Sequence, residues 1–267
     1  MKKKQKINAS QGTSKIIGVL HLQEFPKKIN NKTIDGIKQK ALADLLVLQS
    51  GGADAVIVEN EFEGSISPYG EFLTEQQKEI MFEIVKFLKP HVIVPLGFCV
   101  LLNDYKTALL LAKKFGGAFI RLDTFVDNVE RISDGIKIFP DAASIVKFRK
   151  NINAEKVEIW ADIHVKHTKL LDKKTIEQSA KQAVLAGADK LIITGTWTGK
   201  PPEIKDILKV KKACPKIPIV IGSGINKKNI LKYKNLVKEY IIGSAFKKND
   251  RIDISNVQKI VLMKNKL

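Results

Sequence analysis

Short apolar runs alternate along the chain with stretches whose apolar residues recur every three to four positions, and the alternation continues from Lys15 almost to the last residue. The first pattern predicts strands and the second helices, and their unbroken alternation makes parallel βαβ units. Strands are predicted over Lys15–His21, Asp54–Asn60, His91–Gly97, Ala118–Asp123, Val157–His164, Lys190–Thr194, Pro218–Gly222 and Glu239–Gly243. The first helix is predicted to begin near Thr33, its cap, and to end at Gly51-Gly52. Those that follow occupy Thr74–Lys89, Asn103–Phe115, Asp141–Lys150, Thr175–Ala186, Glu203–Ala213, Lys227–Leu236 and Ser255–Leu262. Pro90 stops the second of them, because the residue before a proline disfavours the α conformation.

Most of these strands are near-continuous apolar runs. That is the expectation for a parallel sheet covered on both faces, by barrel side chains within and helices without. Gly51 to Val58, Gly116 to Leu122 and Gly187 to Ile193 form a faint repeat joining a helix end to a strand, with glycine supplying a left-handed cap. An open doubly wound sheet uses the same units, but its GxGxxG fingerprint should follow the first strand, which here ends in His21-Leu22-Gln23-Glu24. The predicted fold is therefore α/β, a single (β/α)8 TIM barrel over residues 15–267, a span usual for that fold. A disordered basic leader is predicted over residues 1–14; it lacks the apolar core of a signal peptide because Asn8 to Ser14 is polar.

Charge bears on partners. With 46 Lys and Arg against 28 Asp and Glu, the formal net charge is +18, enough to attract nucleic acid, anionic lipid or anionic metabolites. The lysines are spread along the helices in ones and twos (Lys38 and Lys40, Lys113 and Lys114, Lys211 and Lys212), with no arginine-rich cluster or interleaved aromatics. Solvated helix faces are the expectation, with no specific nucleic-acid partner. No run approaches the roughly eighteen apolar residues of a transmembrane span, which leaves peripheral membrane contact as the only membrane role to test. Cys99 and Cys214 make neither a disulfide framework nor a zinc motif, and a reducing cytoplasm fits them best.

In a (β/α)8 barrel the chemistry sits at the C-terminal ends of the strands. Those ends carry His21, Glu59, Arg121 with Asp123, and Asp162 with His164. Period-two geometry puts Arg121 and Asp123 on one face of their strand, and Asp162 and His164 on one face of theirs, so each pair is predicted to point into the mouth. Asp162 and His164 are candidates for proton transfer and Arg121 for stabilising negative charge. Lys166 is a candidate electrophile, Schiff-base amine or substrate clamp. His167 lies on the same face, whereas His91 is read as the start of a strand. Carboxylates and histidines at several strand ends also suit a divalent metal, although no HxH or HExxH spacing occurs.

A sharper signal comes late in the chain. Ile221-Gly222-Ser223-Gly224-Ile225 follows the seventh strand and Ile242-Gly243-Ser244-Ala245 the eighth, where barrels of this type bind phosphate through backbone N–H groups. Gly222, Ser223, Gly224, Gly243 and Ser244 are the candidate phosphate ligands, Lys247 can add a charge, and Gly195 and Thr196 in the loop Thr194–Gly199 are expected to line the same pocket.

Taken together, Ile17 to Leu22, Gly52 to Asn60, Ala161 to His167, Ile193 to Gly199 and Gly222 to Gly224 resemble the BtpA/SgcQ family over nearly the whole chain. The resemblance implies a TIM barrel similar to the ribulose-phosphate-binding barrels. Cyanobacterial members of that family are linked to photosystem I biogenesis at thylakoids, and others accompany sugar-uptake genes. The chain departs from the family pattern in Gln23 to Lys27, in the loop after Glu59-Asn60, and at Asp123, where asparagine is usual; these loops choose the substrate, so the resemblance does not carry specificity. The expected function is an enzyme acting on a phosphorylated sugar or related small metabolite, of isomerase, epimerase or lyase type. The alternative is a non-catalytic, membrane-associated biogenesis or assembly factor. Such barrels often dimerise, so a homo-oligomer is compatible with the sequence, which leaves the oligomeric state open.

Overall fold

Eight parallel strands close into a ring in chain order in this computed structural model, which describes residues 13–25, 31–60, 65–67 and 70–267. They are β1 (Lys15–His21), β2 (Ala55–Glu59), β3 (Leu96–Cys99), β4 (Phe119–Leu122), β5 (Glu158–Ile163), β6 (Lys190–Ile193), β7 (Ile219–Ile221) and β8 (Glu239–Ile242). Each pairs with the next, and Ile17 of β1 lies in register with Ala55 of β2 and Ile241 of β8, which seals the ring. The predicted (β/α)8 barrel is the observed one. The predicted leader lies outside the described residues except for Thr13 and Ser14, as do Pro26, Lys27 and residues 61–64 and 68–69 of the loop after Asn60.

The period of two sorts every strand into an inner and an outer set. Ile17, Val19, Ile57, Cys99, Phe119, Trp160, Ile192, Val220 and Ile241 meet inside the ring as one apolar cluster. Their neighbours, such as Leu20, Val58, Ile120, Ile159, Leu191 and Tyr240, join a larger core under the helices. Phe119 and Trp160 stack across the interior with ring centroids 3.6 Å apart and planes within 5°. Gly97 is glycine for that reason, since a Cβ there would collide with the Phe119 ring. The interior is packed solid, so any ligand must sit above it.

The helices α1 (Asn31–Ser50), α2 (Glu75–Leu88), α3 (Tyr105–Phe115), α4 (Ala142–Asn151), α5 (Ile176–Leu185), α6 (Ile204–Ala213) and α7 (Ile254–Val261) cover the ring. Capping boxes start two of them: the Thr74 hydroxyl accepts from the Gln77 N–H and the Thr175 hydroxyl from the Gln178 N–H, while each glutamine side chain accepts in return. Gly52, Gly116 and Gly187 all take positive φ, as the helix-to-strand repeat predicts.

Four expectations shift. Strand three begins at Leu96 rather than His91: His91 ends a 3-10 turn, Lys89–His91, and Pro95 has no N–H for the ladder. The helix predicted over Lys227–Leu236 is only a 3-10 turn, Ile230–Tyr233, because Asn226 and Asn229 bond the local backbone, both side-chain amides donating to the Gly224 carbonyl. Thr33 lies inside α1 rather than capping it. Strand five stops at Ile163, one residue before His164.

Charged residues mark the N-terminal end of the ring. Lys190 Nζ stands 2.9 Å from both Glu239 carboxylate oxygens, 3.5 Å from Glu158 and 4.3 Å over the Trp160 ring, with Lys15 4.0 Å from Glu239. At the other end, short strands after β4 and β5, Val129–Arg131, Lys137–Ile138 and Thr168–Leu170, form a three-stranded antiparallel sheet beside the mouth.

Candidate active site

Arg121 organises the mouth. It points inward from β4 and is gripped bidentately by Asp162 of β5, Nε to Oδ1 at 3.0 Å and Nη2 to Oδ2 at 2.9 Å. Its remaining edges approach Asp123, just past the end of the same strand, at 3.4 Å and Glu59 of β2 at 3.4 Å. His21 of β1 completes the row, its Nε2 3.5 Å from the other Glu59 oxygen. Five residues from four strands thus meet because alternate positions of a tilted parallel strand share one face.

One guanidinium faces three carboxylates here, and burial magnifies the mismatch. Asp123 is pushed up to about 6 by burial, with Asp162 and Glu59 adding to the rise while Arg121 and Lys166 oppose it. Burial also lifts Asp162 above the ordinary aspartate range against the pull of Arg121. The Cys99 thiol below them is held well up by burial and by the charges of Glu59 and Asp123, so it stays neutral. A carboxyl that exchanges its proton near neutral pH beside an ionised cluster is equipped for acid–base work.

The glycine loops open onto the same space. Gly222, Ser223, Gly224, Gly243, Ser244 and Lys247 line a cavity of about 400 Å³ together with His21, Glu59, Arg121 and Lys166. Ser223 and Gly224 both take positive φ, and the Ser223 Oγ is buried with no hydrogen-bond partner among the described residues. A Cβ on Gly222 would meet nothing nearer than 3.6 Å, so packing does not demand glycine there and the bare backbone is left facing the cavity. On Gly243 it would come within 3.1 Å of the His21 ring, and a one-turn helix, Ser244–Phe246, starts just beyond.

Three expected members are elsewhere. His164 does not share the inner face with Asp162: its φ of 49° turns the chain off the strand, and its N–H donates to Asp127 at 2.9 Å. Its ring lines a separate cavity of about 640 Å³ with Thr194 to Trp197, Thr175 and Lys209. Gly195 and Thr196 face that outer cavity too. Gly195 is glycine because the Lys200 carbonyl occupies the space of a Cβ, and Thr196 is exposed.

Lys166 is half-buried between the two inner groups; its N–H donates to Thr194 Oγ1 at 3.2 Å and its Nζ reaches Thr198 Oγ1 at 3.5 Å. His167 accepts from the Thr198 N–H at 3.2 Å, and burial followed by the Lys166 charge lowers it, so its ring is neutral. Thr198 and Gly199 line the cavity in place of Gly195 and Thr196; the run of small residues pointed to the loop but not to which end of it turns inward. Among the described residues no three His, Cys, Asp or Glu are grouped to hold a metal ion, and no helix is long and apolar enough to cross a membrane.

A model of the BtpA family matches residues 13–266. An uncharacterized protein of Methanocaldococcus jannaschii is 32% identical over 259 residues, covering 94% of this chain and 95% of that one. The photosystem I biogenesis protein BtpA of Synechocystis is 29% identical, covering 89% and 82%. Among solved structures, thiamine phosphate pyrophosphorylase from Pyrococcus furiosus superposes with a TM-score of 0.58 at 15% identity, covering 94% of this chain and 96% of that one, a likeness of fold.

Proposed function

This chain belongs to the BtpA family, and from that premise we propose that it is an enzyme which binds a small phosphorylated metabolite and moves a proton on it, in an isomerase, epimerase or lyase reaction. The observation that carries the reading is the shared cavity: two glycine loops and the Glu59, Arg121 and His21 cluster line one space of about 400 Å³. The fold neighbour named for thiamine phosphate supports it by analogy of architecture.

In this reading the phosphate rests on the backbone of Gly222 to Gly224 and Gly243 to Ser244, where N–H groups and open space suit an anion. Glu59, with His21 beside it, faces the reacting carbon and takes or returns the proton. Asp123 supplies a second exchangeable proton within reach of the same arginine. Asp162 does not line the cavity; it fixes the orientation of Arg121 from below, so the proton-transfer role expected of Asp162 and His164 passes to Glu59, His21 and Asp123. Lys166 adds positive charge for a substrate anion.

Inorganic phosphate titrated into isotope-labelled protein should move the amide resonances of Gly222, Ser223, Gly243 and Ser244. Gly222→Ala, whose methyl group packing tolerates, should keep the circular dichroism spectrum while weakening phosphate about tenfold or more. Resonances at those four residues that ignore phosphate would remove the foundation of the proposal.

A further inference from the structure

Resting on that reading, we infer that the substrate is an elongated phosphate monoester whose far end is an apolar ring carrying one hydrogen-bonding group, rather than a compact sugar phosphate. A second cavity of about 200 Å³ adjoins the first and shares Glu59, Arg121, Lys166 and Thr198 with it. The charged cluster therefore stands between two compartments. One ends in the glycine loops. The other is walled mainly by Leu101, Leu102, Ile138 and Val165, contributed by the loops after β3, β4 and β5. Asn103, Asp123, Arg131, His167 and Thr168 are polar points in its lining.

The apolar compartment also contains a polar atom with nothing to bind. Thr124 is 2% exposed and lines this space, and its Oγ1 has no hydrogen-bond partner among the described residues. Its N–H is tied to Asn103 Oδ1 at 3.3 Å, so the backbone is fixed and only the hydroxyl is uncommitted. Ser223 Oγ is the matching case in the glycine-loop compartment. Buried hydroxyls are costly to leave unpaired, and these two lie on opposite sides of the same charged residues.

Most of the accessible wall is apolar, and of the three threonine hydroxyls Thr168 donates to the Val165 carbonyl and Thr198 is bonded to His167, which leaves Thr124. The several hydroxyls of a sugar would be stripped of water mainly against leucine, isoleucine and valine. A ring fits better. Apolar cavities of about 150 Å³ are known to hold benzene, so about 200 Å³ accommodates one substituted six-membered ring. With the phosphate on the glycine loops and the ring against Leu101 and Ile138, the bonds between them lie across Glu59, Arg121 and Asp123, where a proton can be moved.

Isothermal titration and amide resonance shifts with the whole chain separate the two layers of the inference. The probes are inorganic phosphate, methyl phosphate, 4-phenylbutyl phosphate and its para-hydroxyphenyl analogue. Phenylbutyl phosphate should bind about 10- to 100-fold more tightly than methyl phosphate and move the Thr124 and Val165 resonances. Ile138→Trp, which fills the compartment, should cancel that gain while inorganic phosphate binds as before. Thr124→Val, close to isosteric, should erase only the further advantage of the hydroxyphenyl compound, and it guards against misfolding of the tryptophan variant. If phosphate binds at the glycine loops but the aryl ester binds no tighter than methyl phosphate, this inference is overturned and the phosphate reading stands. If inorganic phosphate leaves Gly222 and Gly243 untouched, both fall.

Discussion

At its N-terminal end the barrel sets two lysines, Lys15 and Lys190, against two glutamates, Glu158 and Glu239, whereas at its C-terminal end one arginine is set against Glu59, Asp123 and Asp162. The two groups use inward-facing positions of the barrel strands, share only β5, and lie on either side of the same Phe119–Trp160 stack. The first is balanced and partly wet, with Lys15 57% and Glu158 46% exposed, so its charges hold one another in place at little cost. The second is unbalanced and nearly dry, and its surplus appears in Asp123, whose pKa is pushed up to about 6. A cluster that keeps an unmatched carboxyl in a dry place has given up stability there, which accords with the proposed role of this end.

The contrast is broken most directly by removing the cation from each end. Arg121→Met strands the buried Asp162 and should cost about 3 to 5 kcal/mol, while Lys190→Met should cost roughly 1 to 3 kcal/mol because Glu158 can turn to water. Urea denaturation of the two variants checks this, and equal losses would mean that the ends are not differently built.

The next effect is a gain. Asp123 is raised in the folded protein to about 6 from an ordinary 3.8, so folding favours its protonated form; that contribution is complete below pH ~4 and is lost as the pH rises through 6. Asp123→Asn removes the dependence. At pH 7 the variant should be more stable than the parent by about 3 kcal/mol, and the advantage should vanish near pH 4. A carboxamide offers a carbonyl acceptor and an N–H donor much as a neutral carboxyl offers a carbonyl and an O–H, so the asparagine that the family resemblance leads one to expect at this position does permanently what Asp123 does only when protonated. Stability profiles of the two proteins that run parallel from pH 4 to 7 would contradict the assignment. The smallest change is expected at the exposed lysine: Lys15→Ala should shift stability by less than about 0.5 kcal/mol, and a larger loss in the same denaturation series would show that the N-terminal cluster is held more tightly than its exposure suggests.

The same two ends show how far the chain could be read before it was folded. Arg121 and Asp123 were legible as partners because Asp123, although one residue past the end of β4, does not take the positive φ that diverts His164, and Gly222 and Gly243 because their loops follow the last two strands. His164 was not, since alternation predicts direction only while the backbone remains in a strand, and here it turns at Ile163. Gly195 shows another limit: a glycine that admits a ligand and one that admits the Lys200 carbonyl look identical in sequence. The apolar compartment has no local signature at all, because Leu101, Thr124, Ile138 and Val165 come from separate loops and become neighbours only when the barrel closes. Proline decided the third strand, where Pro95 removed a donor that an apolar run alone does not reveal.

The aromatic stack and the glycine opposite it make the barrel a vessel with a floor. With that floor in place, reactant and product of the proposed reaction would share one doorway, past Lys166 and the loops around it. Turnover in such a vessel would then be governed by clearance at the rim: a bulky product would linger, and a second reactant would have to wait for it to go.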